Sequence, residues 1–341
     1  NLYGMAGISS ITYSYEDHFA VNVDEDGNEI DNHVKADPIS TYQVKGGALY
    51  NVNENLGLFV NSGYVQKAPI LDNVIYYDGT VATDPDNEKF LHNEVGVNWG
   101  TEKVGVRVSA YDTDWKDRNL TKSVQTGQGS SGDTDIIFLT GVNQKHQGLE
   151  LETKVKPTDK VELDFIASYG NWKFDGDADG TYQEQEYNDN NQVIGVTTTE
   201  YSYALDGLYV GDMPQTSYIL GLTYKPIKGL RLQALYKTYD RNYADWSPES
   251  REVEGDADRA QVWEAPGYSK LDLHASYKLP IKGYDISLNA HVFNALDDIF
   301  VQDAVDNSKY NGWGDKVHAP HNAEVFLGTP RYANIGVTVN F

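Results

Sequence analysis

The chain has no cysteine and only two methionines among its 341 residues. The first absence excludes a disulfide framework, thiolate metal sites and cysteine nucleophiles together. Cationic residues are scarce as well: 27 Lys and Arg stand against 51 Asp and Glu, a formal net charge of -24. Nucleic-acid binding needs a basic face to meet phosphates, so that function class is excluded. No apolar run reaches the roughly 18 residues that a membrane helix requires. Asn1-Leu2-Tyr3-Gly4 offers neither the basic nor the apolar stretch of an export signal. For an exported protein, the precursor is therefore expected to begin upstream of Asn1.

What the chain has in quantity is tyrosine and glycine, 25 and 31 residues, with six tryptophans. Half of every strand in a large membrane barrel faces a polar interior, so a mean hydropathy of -0.55 is compatible with the membrane. Twelve strand candidates cover about 3–15, 41–51, 56–66, 91–100, 104–116, 144–156, 161–174, 214–226, 230–243, 267–279, 284–296 and 330–341. Most are long enough for a tilted strand to cross a bilayer. Period-two alternation is clean in many. Val161, Leu163, Phe165, Ala167 and Tyr169 share one face, with Glu162, Asp164 and Ser168 on the other. Leu271, Leu273, Ala275 and Tyr277 alternate with Asp272, His274 and Ser276 in the same way.

Alternation also suits a soluble sandwich; the connections decide between the two. Short ones at 52–55, 100–103, 157–160, 226–229 and 280–283 alternate with long ones at about 16–40, 67–90, 117–143, 175–213, 244–266 and 297–329. Soluble domains rarely hold one structureless loop of that length. Six of them at one end of a ladder is the arrangement of outer-membrane barrels, with tight periplasmic turns and long extracellular loops. Tyr224, Tyr277 and Tyr284 stand beside short turns, where a headgroup girdle would sit. The end of the chain, Asn334, Gly336, Val339 and a terminal Phe341, has the form of a barrel-assembly signal. The expected fold is all-β: a transmembrane antiparallel up-and-down β-barrel, with residues 1–341 as one unit.

Several segments resemble the barrel of TonB-dependent receptors of the Bacteroidota type. They are Gly63-Tyr64-Val65-Gln66-Lys67-Ala68-Pro69 with Leu71-Asp72-Asn73-Val74, then Ala110-Tyr111-Asp112-Thr113-Asp114-Trp115, Gly141-Val142-Asn143-Gln144-Lys145-His146, Val292-Phe293-Asn294-Ala295-Leu296-Asp297-Asp298, and Gly328-Thr329-Pro330-Arg331. Their order and spacing, more than any single motif, carry the resemblance, which covers about 41–341. It implies a barrel of about 22 strands around a plugged lumen, of which these twelve would be the C-terminal part. The plug, the TonB box and about ten strands would lie outside this sequence.

Two readings attach to the acidic loop Asp175-Gly176-Asp177-Ala178-Asp179-Gly180. Asp175, Asp177 and Asp179, the Thr181 carbonyl and Glu186 match the spacing of a calcium loop, with Gly180 at the turn position. No flanking helices are expected, and a solvated acidic loop tip is the simpler reading. Asp24-Glu25-Asp26-Gly27-Asn28-Glu29 reads first as a hairpin tip. His318 and His321 could ligate a metal or haem, but surface histidines are the simpler reading. Tyr76, Tyr77, Trp246, Trp263, Tyr310 and Trp313 fall in long connections. Loop aromatics either contact ligand or pack the loops together. Arg118, Arg241, Arg251 and Arg259 could meet an anionic ligand, although nearby acids can satisfy them.

No Gly-x-Ser-x-Gly elbow occurs, and His274 and His291 lack a serine context, so an enzyme is not expected. The resemblance implies import of a scarce nutrient across the outer membrane of a Gram-negative bacterium, a ferric siderophore or similar chelate by family default. It implies as partners the TonB–ExbB–ExbD complex, the barrel-assembly machinery and outer-membrane lipid. The rival readings are a stand-alone twelve-stranded porin or adhesin, and a secreted calcium-binding β-protein. No resident cofactor is expected other than calcium at 175–186.

Overall fold

Strands with one apolar and one polar face pair so that like faces join, and twelve strands of this chain do so in sequence order. The structure, a computed structural model, describes residues 1–16, 22–23, 29–30, 33–75, 81–82, 85–126, 133–187, 189, 193–253, 257–281, 283–312 and 316–340. The ladder strands are β1 (Leu2–Ile11), β2 (Ile39–Asn51), β3 (Leu56–Lys67), β4 (Glu88–Gly100), β5 (Val104–Thr126) and β6 (Asp133–Thr158). They continue with β7 (Val161–Phe174), β8 (Thr216–Tyr224), β9 (Leu230–Asp240), β10 (Tyr268–Lys278), β11 (Asp285–Phe293) and β12 (Tyr332–Asn340). Each pairs antiparallel with its neighbour in sequence, and β1 and β12 are the open edges. All twelve expected strands are present.

Register fuses the apolar sides into one surface. Leu163 stands opposite Leu222, Leu222 opposite Ala234, Ala234 opposite Leu273, Leu273 opposite Val292, and Val292 opposite Ala333. In the first half Val60 faces Val95, and Val95 faces Ala110. These side chains are solvent-facing: Val60, Val95, Leu220 and Val337 are all about half exposed or more. Apolar patches on water-soluble monomers rarely exceed a few hundred Å², whereas this one runs the length of the sheet. Such a face suits hydrocarbon.

The opposite face is polar and internally bonded. Tyr3 donates its hydroxyl to Asn61 (2.8 Å), Asn61 donates to Glu94 (2.8 Å), and Arg107 donates to the same carboxylate (2.9 Å). Farther along, Lys237 reaches Asp272 at 2.7 Å. Three aromatic rings on this face lie flat over the glycine directly opposite: Tyr3 over Gly47, Phe59 over Gly96 and Tyr111 over Gly148. A Cβ at any of the three glycines would enter the ring above it.

One end of the ladder closes in tight turns. Asn53 accepts from the amides of Asn55 and Leu56, both at 2.9 Å, and Thr101 accepts from Val104 at 3.1 Å. Gly229 turns with φ +88, a conformation that other residues rarely adopt, and a Cβ there would run into the Lys278 carbonyl.

The other end carries the long connections, which form a packed layer called here the crown. Two expected loops are largely strand. β5 and β6 run well past the segment needed to cross a bilayer, so most of 117–143 is hairpin. They bend where Asp117 and Gly141 take positive φ and the register shifts around Val142. The chain from β7 then resumes as a strand at Ala178–Tyr187, paired to the outer part of β6, and returns along Val193–Tyr203. Gln144 faces Phe174 and Thr140 faces Asp179, so 175–177 is a one-residue register break in what is nearly a continuous strand.

The main buried core lies in the crown, not in the ladder. It gathers Leu139, Val142, Phe174, Tyr203, Leu205, Leu208, Tyr243, Trp246 and Val262 from three connections and the end of β7. A short helix, α1 (Pro248–Arg251), follows Trp246, with Pro248, Ser250 and Arg251 buried.

Candidate functional site

The predicted loop aromatics separate once placed. Trp246 is 2% exposed. Its ring packs against Tyr203 (centroids 5.4 Å apart), with the Lys122 ammonium 4.9 Å from its centroid. Of the two readings of the loop aromatics, its burial favours packing: it holds loops together and reaches the cleft described below only as part of the buried wall. Trp263 is half-buried, on the connection that closes the Asn242–Tyr243 and Glu264–Ala265 ladder. Tyr310 is 71% exposed. It stands at a cleft of about 400 Å³ whose wall includes Lys122, Asp245, Ser247, Glu249 and Glu324. Tyr76, Tyr77 and Trp313 lie outside the described residues, as do 24–28.

The cleft floor is ionic. Lys122 pairs with Asp245 in a short contact and also donates to the Trp246 carbonyl (3.4 Å). Ser308 donates to Glu324 at 3.0 Å, and Ser247 donates to Glu249. Sequence alone could not have found Lys122 and Asp245 as partners, since 123 residues separate them. The mixture of carboxylates, hydroxyls, two lysines (Lys122 and Lys309) and an exposed phenol can hydrogen-bond a polar ligand and present one flat ring to it.

The residues of the calcium spacing are not gathered into one loop: much of the segment is strand. Asp179 already belongs to the Ala178–Tyr187 strand, opposite Ser202, whose hydroxyl it accepts at 2.7 Å. Seven residues along a strand span roughly 23 Å, so the backbone of Glu186 is held away from Asp175. The Glu186 side chain itself lies outside the described residues. Asp177 is committed elsewhere: Arg259 donates to both its oxygens (3.0 and 2.7 Å), and the amides of Leu205 and Asp206 donate at 3.1 Å. The Arg259 guanidinium holds the Asp177 carboxyl below the usual carboxylate range. The Thr181 carbonyl is likewise part of strand, Thr181 being opposite Phe138 and Glu200.

The four loop arginines are each met within the protein. Arg118 donates to Gln144 (3.2 Å) and lies over Trp115. Arg241 donates to the Gly170 carbonyl at 2.6 Å, over the ring of Tyr169. Arg251 is wholly buried and Arg259 pairs with Asp177. His318, read as a surface residue, is only 8% exposed in its side chain and wedged between two aspartates, whereas His321 is exposed. That correction rests on chain segments 60 residues apart closing on one ring.

In the ladder, His274 and His291 face each other with Nδ1 atoms 2.8 Å apart. Ser276, two residues along, donates to Asn289 (2.9 Å). Serine and imidazole are thus committed to different partners and form no nucleophile–base pair. Asn334, Gly336 and Val339 lie on the exposed edge strand β12, and Phe341 lies outside the described residues.

Comparison with known proteins agrees with this architecture. The family described as TonB dependent receptor-like, beta-barrel matches residues 8–295. None of the curated proteins matches. Among solved structures, the copper transporter OprC superposes with a TM-score of 0.59 at 15% identity, over 98% of this chain and 45% of its own. The ferric-catecholate import receptor Fiu from K12 E. coli gives 0.56 at 13% identity, over 99% of this chain and 42% of its own. The ferric citrate transporter FecA, unliganded, gives 0.55 at 15% identity, over 100% of this chain and 43% of its own. At these identities the likeness is one of fold, and the chain spans less than half the length of the receptors it matches. Twelve sequential antiparallel strands with turns at one end and a loop crown at the other, matched over most of the chain, make it a barrel portion belonging to the TonB-dependent receptor family.

Proposed function

We propose that this chain forms part of the wall and much of the outer crown of a TonB-dependent importer in the outer membrane of a Gram-negative bacterium. The tight turns face the periplasm and the crown faces the medium. The nutrient is a scarce one, most simply a ferric siderophore or a comparable metal chelate, as the names of the copper, ferric-catecholate and ferric citrate receptors suggest. Crown residues around the Tyr310 cleft contribute contacts, and several weak contacts together with a plug sum to useful affinity. TonB, with ExbB and ExbD, supplies the work through regions outside this sequence. Lipid surrounds the apolar face, and the barrel-assembly machinery handles the edge bearing β12.

The observation that carries the reading is the asymmetry of the ladder. Its apolar face needs hydrocarbon, and its two ends differ as the two sides of an outer membrane do. The open edges favour a portion over a stand-alone twelve-stranded barrel, in which β1 would pair with β12 to leave no edge. Growth of a deletion strain on limiting iron or copper, supplied as defined chelates with and without a working TonB, tests the proposal. Loss of growth on one chelate, reproduced by loss of TonB, is expected. Unchanged uptake of every chelate would remove the metal-chelate reading, and uptake indifferent to TonB would remove the importer reading.

A further inference from the structure

Three connections that are distant in sequence meet at one guanidinium. Arg251 has no exposed side-chain surface. Its Nη1 donates to the carbonyls of Asp258 (3.1 Å) and Ala260 (2.7 Å). The Asp258 and Asp306 carboxylates approach it at 3.7 and 3.6 Å. Its backbone carbonyl accepts from Ala204, and Val253 donates to Ser202, both at 2.8 Å. Asp306 donates its amide to the Asp245 carbonyl, also at 2.8 Å. The connections 175–215, 241–267 and 294–331 are therefore tied at this point.

His318 completes the knot. Its Nδ1 lies 2.5 Å from Asp306 Oδ2 and its Nε2 lies 2.8 Å from Asp258 Oδ2. A neutral imidazole has one N–H and one lone pair. In that form one ring nitrogen would set its lone pair against a carboxylate oxygen. An imidazolium donates to both, in two charge-assisted bonds. The Arg251 Nη2 atom, 3.3 Å from Nδ1, offers only a third proton at the position that Asp306 already fills. Charge balance points the same way. Two buried carboxylates face one guanidinium, and the imidazolium brings the group to neutrality, where burial is least costly.

We propose that His318 is a pH-operated latch: as an imidazolium it clasps the 294–331 connection to the 241–267 connection, and loss of its proton in alkaline medium loosens the crown. The charged groups against it are Arg251 and Asp258 from one connection and Asp306 from the other. Burial pulls its pKa down, but the hydrogen bond and charge of Asp306, with the bond to Asp258, carry it above the ordinary 6.5. A group raised on folding stabilises fully below its unfolded pKa of about 6.5, and that contribution is lost as pH rises through the folded value. Val305, Ser308 and Tyr310, beside Asp306 on the same connection, line the cleft, so the latch also sets its shape.

Hydrogen exchange of the full-length protein in detergent, expressed as protection factors to remove the intrinsic pH dependence of exchange, tests this. In the wild type, protection over 244–253 and 301–308 is expected to fall about tenfold or more between pH 6 and pH 9, with the ladder strands unchanged. His321→Asn keeps that fall. His318→Gln shows low protection already at pH 6 and no further loss. Should His318→Gln fail to assemble, Asp306→Asn removes one acceptor and is expected to move the midpoint of the fall toward lower pH. Flat wild-type protection, a fall retained in His318→Gln, or a midpoint unmoved in Asp306→Asn would overturn the latch.

Discussion

Replacing Trp246 separates loop packing from ligand contact. The indole is 2% exposed, tilted against the Tyr203 ring and enclosed by the crown core. Its Nε1 has no hydrogen-bond partner among the described residues. Trp246→Phe therefore loses no hydrogen bond and keeps most of the ring, at an expected cost of about 1 kcal/mol. Trp246→Ala leaves a cavity and forfeits the buried ring, about 3–5 kcal/mol. The ladder below has its own pairing, so the loss appears as local opening of the crown. Each 1.4 kcal/mol is about tenfold, so crown amides in Trp246→Ala should exchange more than ~100-fold faster than wild type. Those of Trp246→Phe should stay within about tenfold. Hydrogen exchange with mass spectrometry on peptides over 203–208 and 243–247 reads this directly. Trp246→Ala exchange within about threefold of wild type would refute the packing argument. So would a Trp246→Phe variant that lost ligand binding while keeping wild-type protection.

Gly148→Ala forces a methyl into the Tyr111 ring, and overpacking of this kind costs about 1–3 kcal/mol. The thermal unfolding midpoint should drop, and Tyr111→Ala in the same chain should restore part of it. Arg259→Ala removes the pair with Asp177, but both side chains are substantially exposed, so the effect on global stability should be slight. Because Asp177 is held below the ordinary carboxylate range, the pair's contribution is present above pH ~4 and fades as pH falls further. A stability difference between wild type and Arg259→Ala that persisted unchanged to pH 2 would be the contrary result. Millimolar calcium is expected to leave protection over 178–187 unchanged, since that segment is strand; a calcium-dependent rise would reinstate the loop reading.

The ladder was legible because each of its strands has two chemically distinct faces. Leu271 to Tyr277 can sit in a sheet with one face in hydrocarbon in only one register, and turn residues such as Asn53 and Gly229 mark where it reverses. The crown was not legible for the complementary reason. Residues 118–126 and 178–187 are polar on both sides, so alternation gives no signal, and their strands exist because β6 offers an edge. Bulges at Asp117, Gly141 and 175–177 break the period as well. The aspartates of 175–179 matched a local motif, yet Arg259, 82 residues away, determines what Asp177 does. Trp246, Arg251 and His318 carry no local mark of burial either. Their environment is made by loops that meet only after the ladder has aligned them.

The absence of cysteine makes the orientation directly measurable. Single cysteines at Thr198 or Met213, exposed in the crown, and at Glu102 or Asp159, exposed in the tight turns, can be treated on whole cells with a membrane-impermeant maleimide. The crown positions should label at once, and the turn positions only after the outer membrane is permeabilised. Labelling of the turns on intact cells with the crown protected, or equal labelling of both ends in a soluble fraction, would contradict an outer-membrane barrel with its crown facing the medium.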